Sequence, residues 1–212
     1  MYTFDRAAIK NHAKELLPLN RSQYIAVILV LTLVSVILGA ISAGFLGVIV
    51  NALLEVAVAG FFLAGWRGSP RTVNEMFVTL FDDTFLRKLG GMLWMMLKVF
   101  LWSLLFVIPG IIKALGYAMT PYILHQYPNV PAMEASNISE KMMKGHKMDL
   151  FITELSFLGW LILSGLTFGI LYVLYVGPYM EMTMAGIYDE LERLALENNI
   201  VTEAELNGEV QL

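Results

Sequence analysis

The sequence has no cysteine, only three histidines and, for 212 residues, little charge: 15% Asp, Glu, Lys and Arg against 58% hydrophobic residues. Without cysteine there is no disulfide framework, no thiolate zinc site and no thiol nucleophile. His12, His125 and His146 stand apart, with no HExxH or similar ligand spacing, so no metal centre is expected. A glycine-rich phosphate loop and a Gly-x-Ser-x-Gly elbow are both missing. The pair Asp82-Asp83 falls between two expected helices and reads as a cap rather than a cation site. These absences argue against an enzyme, and no cofactor or nucleic-acid partner is implied.

Apolar sequence is what the chain has in excess. A mean hydropathy of +0.67 lies outside the range of soluble domains, so the chain reads as an all-α, polytopic membrane helix bundle. Tyr24 to Leu54 carries no charge, and Glu55 is the one normally charged residue before Trp66. A bilayer core of about 30 Å takes roughly 20 apolar residues per helix, which predicts spans near 24–43 and 46–66 with a turn among Gly39 to Gly47. The apolar run is too long for a secretory signal, and a second span follows it at once. A third span is expected near 89–108, interrupted by Lys98, and a shorter fourth near 111–127. The fifth and sixth fall near 150–166 and 170–188 around a turn at Thr167–Gly169, and residues 191–212 read as a solvated acidic tail.

Pro109-Gly110 raises the question of one kinked helix or two. Charge placement answers it, because Arg67, Arg71, Arg87 and Lys88 precede this region and Lys141, Lys144 and Lys147 follow it, and cytoplasmic loops collect Lys and Arg. Both flanks therefore lie inside, so the chain must go out and come back, with Pro109-Gly110 as a tight outer turn; a segment that re-enters without crossing would meet the same constraint. Of the fourteen Lys and Arg, all but Lys98 and Lys113 lie in the N-terminal stretch, the inner loops or the tail. The resulting expectation is six spans in three hairpins, with both termini cytoplasmic, in a single transmembrane domain over residues 1–190.

Each hairpin is preceded by a short amphipathic stretch expected to lie on the cytoplasmic interface. In the first, Asp5 caps, Ile9, Ala13, Leu16 and Leu17 form a stripe, and Arg6, Lys10 and Lys14 form a basic row suited to anionic lipids. In the second, Thr72 and Glu75 make a capping box ahead of Val73, Met76, Phe77, Leu80 and Phe81. In the third, Pro131 opens a helix, Ala135, Ile138 and Met142 share a face, and Gly145 stops it.

Ionisable residues at membrane depth are costly and face a bundle interior or a cavity. Glu55, Lys98, Glu154, Glu181 and Lys113 are the candidates for such a polar site. Counting along the spans makes Glu55 and Lys98 each other's expected partner near mid-membrane, while Lys113, close to the expected turn, can snorkel. Structural ion pairing is the competing explanation for these groups.

The runs PGIIKALGYAMTPYIL, MEASNISEKMMKGHKMDLFITELSFLGW, LTFGI and GPYMEMTMAGIYDEL, with the early RAAIKNHAKELL, resemble the bacterial integral-membrane family known as domain of unknown function 975. The resemblance extends over almost the whole chain up to the acidic tail. It implies a multi-pass protein, mainly of Gram-positive bacteria, with no established activity and no catalytic residues to carry over. Two functions remain open from the residues: lipid or small-solute binding and transport through the intramembrane charges, or a scaffold subunit docking a membrane or cytoplasmic protein through the interfacial helices.

Overall fold

The computed structural model describes residues 4–41 and 45–209, and no strand occurs among them. Helix α1 (Arg6–Leu16) passes through a 3-10 turn at Leu17–Asn20 directly into α2 (Arg21–Ile41). The expected first turn includes residues 42–44, outside the described residues, and α3 (Phe45–Trp66) returns. Among the described residues, four stretches are long and apolar enough to cross a membrane: Arg6–Leu38, Gly47–Trp66, Val107–Gln126 and Lys147–Leu166.

Local cues place the short helices well. Asp5 accepts the amide hydrogens of Ala7 and Ala8 at 2.9 and 3.0 Å, and Ile9, Ala13 and Leu17 are buried. Helix α4 (Val73–Leu80) starts on a complete Thr72/Glu75 capping box and buries Met76 and Leu80. Phe81 departs from the expected stripe: it is 70% exposed and stacks on Phe85. Asp82 does not cap the next helix, whose N-cap is Thr84 with no side-chain capping bond; it fastens the turn before it, accepting the amide and hydroxyl of Thr84 and the ammonium of Lys88.

Helix α5 (Phe85–Leu105) and helix α6 (Val107–Tyr117) form the middle hairpin, so the region around Pro109 is two helices. The break lies three residues before the expected turn, at Phe106, whose backbone is extended (φ −162°, ψ 150°). Pro109 instead sits in the first turn of α6, where its missing N–H breaks no helical bond. Gly110 lets the arms approach, since a Cβ there would lie 2.2 Å from Ser103 Oγ. Helix α7 (Thr120–Gln126) continues α6 after a joint at Ala118–Met119. Ser139 bridges that joint: its hydroxyl accepts from the Met119 amide and donates to the Gly116 carbonyl.

Ser139 belongs to α8 (Glu134–Met142), which begins three residues after Pro131 and buries Ala135, Ile138 and Met142 as expected. Gly145, at φ 92°, takes the left-handed conformation that ends this segment. Helices α9 (Lys147–Leu155) and α10 (Leu158–Leu166) are nearly continuous, and the Thr167–Gly169 turn carries positive φ at Phe168 and Gly169. A π-helical turn at Tyr172–Val176 then feeds α11 (Gly177–Glu197), absorbing Pro178 without ending the helix.

The tail corrects the expectation of a solvated end. Helix α11 runs past Tyr188, burying Leu191 and Ala195 on one continuing face. The chain turns at Asn199, and α12 (Glu203–Leu206), with a Thr202/Glu205 capping box, folds back with Val201 and Leu206 buried and is tied to α8 by a 2.5 Å Lys141–Glu205 ion pair. The Lys141 hydrogen bond and the Thr202 amide hold the Glu205 carboxyl below the usual glutamate range. A depressed folded value means this contribution is complete above the unfolded value of about 4.3 and is lost as pH falls through the lower folded one. Hydrogen exchange of residues 201–209 is therefore expected to quicken in acid, and Lys141→Ala to quicken it already at neutral pH. Exchange that is insensitive to both would remove the ion pair's role in docking the tail.

The molecule is polarised. Helices α1, α4, α7, α8 and α12 and the second half of α11 gather with most of the charge, around a core that includes the stacked rings of Tyr122 and Tyr188. Away from that end the helices are bare and apolar: Leu33, Val36 and Ile37 on α2, Leu104, Phe106, Val107 and Ile108 around the middle turn, and Leu158, Ile162, Leu166 and Phe168 in the last hairpin.

Candidate functional site

Five ionisable residues were expected to share a polar interior, and the structure divides them into two groups. Glu55, Glu154 and Glu181 converge on two adjoining cavities. The first, about 490 Å³, is lined by Thr32, Ser35, Asn51, Glu55, Tyr172 and Glu181 between α2, α3 and α11. The second, about 540 Å³, is lined by Glu55, Met95, Met96, Phe100, Tyr117 and Glu154. Glu55 faces both. None of the three carboxylates has a hydrogen bond or ion pair among the described residues, and no His, Asp or Glu cluster there could hold a metal ion.

Helical spacing builds the wall of the first cavity. Asn51 and Glu55 stand four residues apart on one face of α3, and Ser35 donates to Asn51 Oδ1 at 2.7 Å, so a polar seam runs along the α2–α3 contact. Asn51, Ser35 and Thr32 carry no charge, so they do not stand out in apolar sequence as ionisable residues do. An i−4 amide beside Glu55 in an otherwise apolar helix was the available signal.

Lys98 and Lys113 form the second group, and the expected Glu55–Lys98 pair is not made. Met95, Met96 and Val99 line the carboxylate cavity, whereas Lys98 turns to α6 and α8, donating to Asn137 Oδ1 at 2.6 Å and Ser136 Oγ at 2.9 Å. Lys113 does not reach away toward the turn; it pairs with Glu140 of α8 at 2.5 Å, and Lys147 adds a 3.7 Å contact. Burial raises the Glu140 carboxyl, but Lys113 and Lys147 outweigh it and hold the group below the usual range. Aromatic rings flank both lysines: Lys98 lies 5.2 Å from the Tyr117 ring centre and 5.7 Å from Trp94, and Lys113 lies 5.0 Å from Trp102.

The basic row of α1 docks that helix on the last hairpin. Arg6 lies 4.0 Å from Asp149, Lys10 donates to Ser156 Oγ at 2.7 Å and sits 4.3 Å over Phe157, and Lys14 lies 5.5 Å from the Tyr179 ring centre. Lys14 alone of the three stays exposed.

A further polar centre had no counterpart in the sequence reading. Buried Glu192 accepts from Arg67, Gln126, Tyr127 and Tyr188, and Arg67 also pairs with Asp189 at 2.6 Å, which ties together the ends of α3, α7 and α11. Arg67 and Glu192 are 125 positions apart, beyond the reach of any local pattern.

The family model described as a protein of unknown function, DUF975, matches residues 84–195. The chain belongs to the DUF975 family. The matched segment of this DUF975 protein runs from the start of the middle hairpin into the second half of α11, so it includes Lys98, Lys113, Glu140, Glu154, Glu181 and Glu192; Glu55 and Arg67 precede it. No curated protein and no solved structure matches the chain.

Proposed function

We propose that this DUF975 protein is a non-enzymatic, multi-pass protein of the bacterial cytoplasmic membrane that binds a lipid or small solute bearing a positive charge between its hairpins. The observation that carries the reading is the convergence of Glu55, Glu154 and Glu181 on adjoining cavities while Lys98 and Lys113 are engaged by α8. Carboxylates in an apolar setting favour a cation or a proton, and here the protein places no cation of its own beside them. Three apolar hairpins enter the bilayer from the cytoplasmic side, the six-segment arrangement that the charge bias supports, with both termini on that side. Exposed Lys14 contacts anionic headgroups of the inner leaflet.

Native mass spectrometry of the protein extracted in mild detergent tests this reading. A retained species of defined mass is expected, its occupancy at least tenfold lower in Glu55→Gln or Glu181→Gln and unchanged in Lys98→Met. A bare protein, or occupancy indifferent to the glutamate changes, would overturn it. One observation favours the scaffold reading: Val78, Phe81 and Leu86 are exposed at the α4–α5 corner, 65%, 70% and 76% respectively. On that reading the retained species is a polypeptide, lost on Phe81→Glu.

A further inference from the structure

A polar segment lies along one face of the middle hairpin far along its length. Arg87, near the start of α5, donates to the carbonyls of Leu124 and Val130, and a Cβ at Gly91 would lie 3.0 Å from the Ala132 carbonyl. Ser136 and Asn137 then meet Lys98, and Glu140 meets Lys113. The segment from Val130 through α8 therefore follows α5 from its first turn down to Lys98. It is polar on its outer side, with Lys141 and Lys144 exposed, and the tail with Glu203, Glu205 and Glu209 packs over it. Such a surface belongs in water, not in hydrocarbon.

That placement fixes the level of the interface on this side. Lys98, Lys113, Glu140 and Lys147 form a charged belt, and Trp94, Trp102 and Tyr117 sit on the lysines as aromatic side chains do at the headgroup level. Beyond the belt only 99–112 remain, mostly apolar, with exposed side chains around the turn: Phe100 is 60% exposed and Phe106, Val107 and Ile108 between 71% and 72%. Seven residues down and six back reach about 10 Å at the helical rise of ~1.5 Å per residue. A crossing needs about 30 Å.

We infer that the α5–α6 hairpin is a wedge seated in the inner leaflet, its partner the acyl chains of one monolayer, and that it does not cross the membrane. The inference rests on the membrane reading above but not on the carboxylate site. It keeps the parity argued from charge, because a wedge returns to the side it left. It also accounts for charge that a full span would bury: with the interface at Lys98, neither Lys98 nor Lys113 lies in hydrocarbon.

The absence of cysteine makes the test clean, since any introduced thiol is unique. Val107→Cys and, for comparison, Phe168→Cys alter side chains that are 72% and 97% exposed. Each is labelled with an environment-sensitive fluorophore and reconstituted in phosphatidylethanolamine–phosphatidylglycerol vesicles opened to solvent on both faces. The label at Val107 is expected to resist aqueous iodide and to be quenched most by spin labels part-way down the acyl chain. A turn at the far interface would instead expose that label to iodide and place its strongest quenching at the headgroup, which overturns the wedge. If neither position is quenched by any lipid-borne label, the membrane reading itself fails, and the wedge with it. Native mass spectrometry of the glutamate variants is blind to hairpin depth, so the two proposals stand or fall separately.

Discussion

Glu192→Ala is expected to cost at least about 3 kcal/mol of stability, because it strands the Tyr188, Tyr127 and Gln126 donors at ~1–3 kcal/mol for each one left unpaired, while half-exposed Arg67 keeps Asp189. The carboxylate is 8% exposed and accepts from Arg67 at 2.5 Å, Gln126 at 2.7 Å, Tyr127 at 2.6 Å and Tyr188 at 2.8 Å. Alanine strands the Tyr188 hydroxyl in the core and leaves Arg67 with Asp189 alone. Burial, the Glu192 hydrogen bond and its charge push the Tyr127 phenol well up, so Tyr127 remains a donor at ordinary pH and cannot relieve the loss by ionising. Glu192→Gln keeps an acceptor of the same shape and is expected to cost less, about 1–3 kcal/mol. Thermal unfolding in detergent measures both. Because Arg67 and Glu192 act as a pair, Arg67→Ala combined with Glu192→Ala should cost less than the sum of the single changes. Equal costs for Ala and Gln, or strict additivity, would reduce the network to simple packing.

The contrast between this network and the short helices shows what a sequence makes readable. The Asp5 cap, the Thr72/Glu75 box, the Ala135–Ile138–Met142 face and the stop at Gly145 were all legible because each is decided within a few residues. The Thr167–Gly169 turn was legible for the same reason. Phe106 was not, since nothing in its composition marks an extended residue and the nearby Pro109-Gly110 offers a stronger turn signal. Proline, however, fits the first turn of a helix as well as a bend.

The polar interior was legible by residue type but not by partner. Glu55, Glu154 and Glu181 were found because charge in apolar sequence is conspicuous. Which of them meet depends on helix rotation, where one residue turns the side chain by about 100°. Counting depth along each span set Lys98 opposite Glu55, yet the residues of α5 that face the cavity are Met95, Met96 and Val99. The placement of α8 alongside α5 supplied the lysines with Asn137 and Glu140, and that contact is set by tertiary packing alone. The tail was misread for a different reason: its acidic residues hid the stripe of Leu191 and Ala195 that carries α11 onward.

Gly60→Ala is expected to destabilise the bundle by about 1–3 kcal/mol, although the same exchange in an open helix is favourable by about 1 kcal/mol. A Cβ at position 60 of α3 would lie 2.2 Å from Cε1 and Nε2 of the His125 ring at the end of α7. That ring cannot swing away freely: Nε2 lies 3.2 Å from Arg71 Nη1, and Leu124, the residue before it, is buried against Gly91 on α5. Helix α7 is thus wedged between two glycines, and added volume on either side must move backbone. Replacing the ring supplies the control. In a His125→Ala background the overlap is gone, the intrinsic preference of alanine for a helix remains, and Gly60→Ala should change sign and stabilise by up to about 1 kcal/mol. Melting temperatures of the four proteins in one detergent give the cycle. A Gly60→Ala cost that persists without the imidazole would place the collision elsewhere along α3, and a neutral Gly60→Ala would show that α7 can shift as a body and that the close α3–α7 contact does not fix its position.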